Sequence, residues 1–285
     1  ENVKRSSSTQ GNNRYPDTRM GVEQVLTDAF TRAKDYKKKW DSYNVEKDQL
    51  VKAKKPLTGL NAPRRDLELE ALVEILDKKR FITCHSYVQS EINMAMKVAE
   101  EMGYTVNTFT HILEGYKVAD KMKAHGAFVS TFSDWWAYKV EVEDAIPYNA
   151  AIMHKTGLVV AINSDDAEMA RRLNQEAAKT MKYGGVSAEE ALKMVTLNPA
   201  KMLHVDDRIG SLKVGKDADV VVWSDNPLSI YAKPLYTIVD GIIYFDRVKD
   251  EQKQKEVDAE RARLVKKLNG EKRSGMPMAP ATPSY

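Results

Sequence analysis

Between Phe81 and Tyr183 one rhythm recurs four times, a short apolar run followed by a helical stretch. The runs are Phe81–Cys84, Val106–Thr110, Ala127–Ser130 and Leu158–Ile162. Helical stretches follow each run, over Ser90–Met102, Gly115–Ala124, Val142–Thr156 and Ala167–Tyr183. Strands alternating with helices of this length predict βα units and a parallel sheet. Four units in one order fit half of an eight-fold barrel, and they equally fit most of a doubly wound sheet. Alternation alone does not choose between them.

The flanks have a different texture. Residues 1–20 are polar and turn-rich and read as a long loop. Val22 to Tyr43 has helical apolar spacing, a basic stretch runs from Lys47 to Lys55, residues 56–63 read as loop, and Asp66 to Lys79 is helical again. Beyond the alternating region, Ser187-Ala188-Glu189-Glu190 is a capping box that opens a helix stopped near Pro199. Gly210–Leu212, Ala218–Trp223 and Thr237–Phe245, with the turn Asp240-Gly241, suggest a small β-rich module. The C-terminal part is a charged helix, Glu251 to Leu268, and a Pro/Met/Ala tail that reads as disordered.

Composition removes several classes of function. Lys and Arg number 44 against 41 Asp and Glu, a balance of +3 that supplies little counterion release, so bulk charge does not drive nucleic-acid binding. The basic stretch Lys37–Lys55, with Tyr36, Trp40 and Tyr43, is interrupted by Asp41, Glu46 and Asp48 and reads as a solvated helix face. No apolar run approaches the ~18 residues a membrane helix needs. A single cysteine excludes a disulfide scaffold and is compatible with cytoplasm or periplasm. The chain opens Glu1-Asn2-Val3-Lys4 without Met, and the expectation is that a segment precedes it.

Only five histidines are present, so each position carries weight. His85 directly follows the run Phe81–Cys84, and His111 directly follows Val106–Thr110. Asp165 follows Leu158–Ile162 after Asn163 and Ser164. In a parallel sheet or barrel the carboxyl ends of the strands are where sites are built. A lone histidine there reads as a hydrogen-bonded structural residue, whereas two histidines and an aspartate at one location in successive units read as metal ligands. His125, His154 and His204 sit at other places and read as structural. Cys84, inside a strand, reads as a small buried hydrophobe rather than a nucleophile.

Together these residues resemble the back half of a metal-dependent amidohydrolase. The motifs are Thr-Cys-His-Ser-Tyr around His85, Thr-His-Ile-Leu-Glu-Gly around His111 and Ile-Asn-Ser-Asp-Asp around Asp165. The passage from Glu190 to Pro227 strengthens the resemblance, with Leu-Asn-Pro-Ala-Lys-Met-Leu followed by Gly-Ser-Leu-Lys-Val-Gly-Lys-Asp-Ala-Asp. It is similar to the helix-to-sandwich passage of imidazolonepropionase-like and dihydroorotase-like members. The resemblance covers about residues 81–247 and implies a (β/α)8 TIM barrel with a small β-sandwich. Residues 1–200 would supply strands four or five to eight, 201–248 the sandwich module, and 249–285 the helix and tail.

What the resemblance implies for the site is a set of roles. His85 and His111 match the strand-five and strand-six histidines, and Asp165 matches the strand-eight aspartate that binds metal and takes a proton from the attacking water. One or two divalent ions, of zinc type, would lower the pKa of that water and polarise a C–N carbonyl substrate, a small-molecule amide or cyclic amide. Tyr87 and Trp135, on the loops after the first and third runs, either line the substrate pocket or pack their loops onto the barrel. The loop Arg14–Arg19 has groups to grip a carboxylate, although a surface salt bridge is the simpler reading. The family's front half, with its His-x-His pair and bridging ligand, has no counterpart here; Glu1 stands about where the bridging ligand belongs, as a ligand or merely a chain end. Half a barrel leaves sheet edges uncovered, so association with the N-terminal portion or with a second copy is expected. The alternative is a non-catalytic half-barrel or degenerate relative that acts as a binding or assembly module.

Overall fold

A computed structural model describes residues 14–135 and 137–273. The chain divides between Ser211 and Leu212 into two compact units.

The first unit opens with the long helix α1 (Arg19–Lys52), capped by Thr18, whose hydroxyl accepts from the Gly21 N–H at 3.0 Å. It runs past Tyr43 through the basic stretch, because that segment has no Pro or Gly before Pro56 and is rich in residues that tolerate helix. Oppositely charged neighbours such as Lys37 and Asp41 add support along its surface. Helix α2 (Leu67–Leu76) starts at Asp66, which accepts from the N–H groups of Glu68 and Leu69, each at 3.1 Å. It is tied to α1 by the Tyr36 hydroxyl on Glu70 at 3.1 Å and by Lys37 on Asp77 at 2.8 Å.

Then come β1 (Thr83–His85), α3 (Gln89–Met102), β2 (Thr108–Thr110), α4 (Ala119–His125), β3 (Phe128–Thr131), α5 (Asn149–Thr156) and β4 (Val160–Ile162). The four strands pair in parallel in the order β1-β2-β3-β4. Each connection steps to the next position in the same direction, with no reversal of the kind at which doubly wound sheets switch sides. Phe109, Val129 and Val160 are fully buried in the sheet, between helices that contribute Ile92, Val98, Met122 and Met153. Both faces of the inner strands are therefore covered, which is why their sequences read as continuous apolar runs.

The two edges differ. On β1, Thr83 and His85 are exposed, and the outer edge has no strand partner among the described residues. The outer edge of β4 is closed: Ile162 N–H donates to the Met194 carbonyl at 3.0 Å, and the buried Asn198 donates to the Val160 carbonyl at 2.7 Å.

Four helices follow β4, namely α6 (Ala167–Ala170), α7 (Leu173–Gly184), α8 (Ala188–Lys193) and α9 (Leu197–Met202). The helix expected over Ala167–Tyr183 is thus two helices, because Arg172 leaves helical geometry at φ −138 and ψ 36. Asp166 caps α6 by accepting from Glu168 and Met169 N–H. Gly185, at φ 65, ends α7. The expected helix over Val142–Thr156 is likewise shorter; Val140–Val142 is a 3-10 turn, Pro147 intervenes, and only Asn149–Thr156 is α-helical.

The second unit is a three-stranded antiparallel sheet, β5 (Val220–Trp223), β6 (Pro234–Val239) and β7 (Ile242–Asp246), in that order. Asp240 and Gly241, both at positive φ, make the two-residue hairpin turn between β6 and β7. The expected β piece at Gly210–Leu212 is not a strand; Gly210 instead turns at φ 83 close against Leu197 and Thr196. The exposed, charged α10 (Arg247–Arg273) follows β7 directly. The tail residues 274–285 lie outside the described residues. No helix among the described residues is long and apolar enough to cross a membrane.

Candidate active site

His85 closes β1, His111 directly follows β2, and Asp165 follows β4. Side chains from the carboxyl ends of three strands therefore share one edge of the sheet. The rings of His85 and His111 lie 4.5 Å apart at 58°. Asp165 Oδ1 is 4.0 Å from His111 Nε2, although β2 and β4 are two strands apart. Flat neighbours-but-one would stand about 10 Å apart. The curl of the sheet and the reach of the loops bring the two groups together.

His111 holds the centre. Its side chain is 6% exposed against 62% for Asp165, and its backbone adopts φ 61, a left-handed conformation that non-glycine residues take rarely and often at functional sites. Asn163, from the end of β4, reaches His111 Nδ1 through its amide nitrogen at 3.3 Å, and its buried Oδ1 has no hydrogen-bond partner. Burial pushes the His111 pKa down. Asp165 pulls it back up, while the positive fields of His85 and Lys139 push it further down.

Aromatic rings extend from His111. Phe132 stacks on it at 4.8 Å, Trp135 stacks on Phe132 at 4.6 Å, and Tyr138 meets Trp135 edge-on at 5.6 Å. Tyr87 also lies 6.2 Å from His111 and nearly parallel to it. The ammonium of Lys139 sits 3.8 Å over the Tyr87 ring and 5.5 Å from that of Tyr138. Loss of hydration, reinforced by a hydrogen bond with Tyr87, pushes the Tyr138 phenol up to about 12.

Three buried polar links hold these loops. The Glu114 carboxylate accepts from the Gln89 N–H at 3.0 Å, and its own N–H donates to the Tyr87 carbonyl, so the loop after β1 is bound to the loop after β2. Asn149 grips Tyr116, Ile112 and Thr131. Glu176 bonds Ser133, and Lys179 bridges Glu176 and Asp134 at 2.9 and 2.8 Å, which anchors the loop that carries Trp135.

The sequence-derived candidates fall as follows. His85, His111 and Asp165 come together; Tyr87 and Trp135 both pack against the buried Leu113, Phe132 and Val142 beside them. Trp135 also spends its indole N–H on the Met169 sulfur. Glu1 lies outside the described residues. Arg19 forms a surface salt bridge with Glu91 at 3.0 Å. His125 is structural, its ring between the Glu100 carboxylate at 2.9 Å and the Val106 N–H at 3.0 Å. His204 stacks on Phe81 at 3.8 Å. Cys84 is partly buried, and burial raises its thiol pKa. Sequence reasoning passed over Asn163, Phe132, Tyr138 and Lys139. One signal was available: Lys139 is the sole Lys or Arg between Lys123 and Lys155.

The donor chemistry of His85, His111 and Asp165, two imidazoles and a carboxylate, suits a borderline divalent ion such as zinc. The partnerless Asn163 Oδ1 beside His111 leaves a further acceptor there. Among the described residues, however, no three His, Cys, Asp or Glu side chains form a group able to hold a metal ion, so this set is a partial one.

Two imidazoles and a carboxylate at the carboxyl ends of β1, β2 and β4 put the candidate site on the edge where parallel α/β proteins build theirs. The chain belongs to the amidohydrolase family, whose model matches residues 31–244. Among curated proteins it is 28% identical over 251 residues to the amidohydrolase tasK of Hapsidospora irregularis, covering 86% of this chain and 25% of that protein. A 5-methylthioadenosine/S-adenosylhomocysteine deaminase of Thermoanaerobacter pseudethanolicus is 33% identical over 108 residues, 34% of this chain and 25% of the deaminase. The likeness to imidazolonepropionase of Shewanella baltica is confined to 38 residues at 55% identity, covering 13% of this chain and 9% of that enzyme. Among solved structures, an amidohydrolase from Thermotoga maritima superposes with a TM-score of 0.68 at 31% identity, over 82% of this chain and 58% of that one. The chain thus spans only about a quarter of the length of these two longer-matching curated relatives.

Proposed function

We propose that this chain contributes the strand-five to strand-eight half of a hydrolytic site that cleaves a C–N bond in a small amide or cyclic amide. The observation that carries the reading is the meeting of His85, His111 and Asp165 at the carboxyl edge of the sheet. The strand order without reversal and the outer edge of β1, unpaired among the described residues, support a half-barrel completed by other strands. Those strands would come from an N-terminal portion or a second copy. Residues 201–248 would be its appended sandwich module.

In this reading His85, His111 and Asp165 would supply part of the ligand set for a divalent ion of zinc type, completed by the other half of the barrel, and the bound ion would supply Lewis acidity toward the scissile carbonyl. Asp165 is the exposed carboxylate of the three and is assigned as the base. It takes one proton from the attacking water as the oxygen bonds to the carbonyl carbon, then delivers it to the departing nitrogen as the C–N bond breaks. The products are a carboxylic acid and an amine. His111, buried and held by Asn163, keeps Asp165 and the reacting carbonyl in register.

The test is Asp165→Asn in the full-length protein, assayed for amide hydrolysis. Loss of a positioned base is expected to lower kcat by about 10²–10⁴-fold with the fold intact. Undiminished turnover would end this assignment.

A further inference from the structure

Lys139 is placed in a way the hydrolytic site does not use. It is the sole Lys or Arg between Lys123 and Lys155, on a loop that also carries Asp134, Glu141, Glu143 and Asp144. Those acids are the obvious partners, yet Lys139 forms no ion pair among the described residues. Asp134 is taken by Lys179 and Asp144 by Lys117. The Lys139 ammonium instead lies 3.8 Å over the Tyr87 ring.

An aromatic face holds a cation in position without neutralising its charge, since the ring offers a quadrupole and not an anion. The ammonium keeps its hydrogen-bond donors for a ligand. The ammonium lies within reach of both the Tyr87 and Tyr138 rings, whose phenols can offer further donors. The position is adjacent to the reaction site: the Tyr87 ring that carries Lys139 is itself 6.2 Å from His111, and the Lys139 field reaches His111. Asp165 approaches His111 Nε2. The edge is therefore polarised, with a positive end at Lys139 and a negative one at Asp165.

Resting on the hydrolytic reading above, we propose that Lys139, Tyr87 and Tyr138 form an anion subsite that takes the carboxylate of a small amide substrate of the N-acyl amino acid class. Such a ligand carries its carboxylate a few bonds from the scissile C–N bond, which lets one end rest on Lys139 while the carbonyl faces His111 and Asp165. One ammonium and two phenols match a monoanion; a phosphate dianion calls for more cationic or backbone donors than are present among these residues.

The test uses the full chain and a matched pair of probes, N-acetylglycinate and its neutral counterpart N-acetylglycinamide, titrated at low salt and followed by backbone-amide NMR. The wild type is expected to bind the anion at least about five-fold more tightly, with shifts centred on Tyr87 and residues 137–142. Lys139→Met should remove the preference, and Lys139→Arg should retain part of it, which separates lost charge from lost packing. Asp165→Asn, which removes the base, should keep the preference. Equal or absent binding of the two probes by wild type, or an undiminished preference in Lys139→Met, overturns the subsite. The two readings fail separately: hydrolysis that survives Asp165→Asn removes the base without touching the anion preference. Loss of the preference leaves the hydrolysis assay to stand by itself.

Discussion

Removing the Asn149 side chain is expected to loosen the candidate site and the fold together. Asn149 opens α5 and is 1% exposed. Its Oδ1 accepts from the Tyr116 N–H at 2.8 Å, while Nδ2 donates to the Ile112 carbonyl at 2.8 Å and to the Thr131 hydroxyl at 3.0 Å. Ile112 directly follows His111, and Thr131 ends β3. One side chain therefore clamps the turn that holds His111 to the neighbouring strand. Asn149→Ala leaves the part-buried Tyr116 N–H unpaired at a cost of about 1–3 kcal/mol, and removes two further bonds of about 1 kcal/mol each, although the Ile112 carbonyl keeps the Gly115 N–H at 3.0 Å. The expected loss is about 2–4 kcal/mol, on the order of 1–2 M in urea midpoint for a slope near 2–3 kcal/mol/M. Urea unfolding followed by near-UV circular dichroism measures it. Thr131→Val, which removes only one partner, should cost about 1 kcal/mol, and the double variant should fall short of additivity because both act on one bond. The His111 ring resonances should move in Asn149→Ala. A cost below about 1 kcal/mol, or an additive cycle, would refute the clamp.

Tyr104, 7% exposed and stacked on Phe30, has its phenol pKa pushed up to about 12 by burial. Above the ordinary value near 10 the unfolded chain releases a proton that the folded chain retains. Its contribution to stability is therefore complete below pH 10 and declines as pH rises toward 12. Tyr104→Phe should flatten that alkaline slope in urea midpoints taken at pH 9 and 11, and an unchanged slope would count against it. Cys84, with its thiol pKa raised by burial, should react with a disulfide reagent at pH 8 at least ~10-fold more slowly than a free thiol and react fully once unfolded; a free-thiol rate in the native protein would contradict this. Gly184→Ala should destabilise by about 1–3 kcal/mol despite the better helix former, because the added Cβ runs into Ala151 of α5. A raised melting temperature would show that α5 and α7 are not in close contact there.

Much of the architecture was written locally. The apolar runs marked all four parallel strands, with boundaries off by one or two residues, because strand pattern and turn chemistry are properties of neighbouring residues. Ser187, Asp240-Gly241 and Gly185 act as cap, hairpin turn and helix stop, as their residue types dictate. Helix lengths were less legible. The α1 extension runs through helix-tolerant polar residues without an apolar period, and the break at Arg172 is a change of backbone geometry, neither of which apolar spacing registers.

By itself, the sequence determined that two histidines and an aspartate stand at the carboxyl ends of three of the four strands, β1, β2 and β4, since strand ends and side-chain types are both local facts. Tertiary structure alone decided that His111 and Asp165, on strands that are not neighbours, approach to 4.0 Å, that Asn163 reaches across to His111, and that Lys139 settles over Tyr87 rather than beside an acid. Those outcomes follow from the curl of the sheet and from competition among distant partners. Both arise only when the whole unit packs at once.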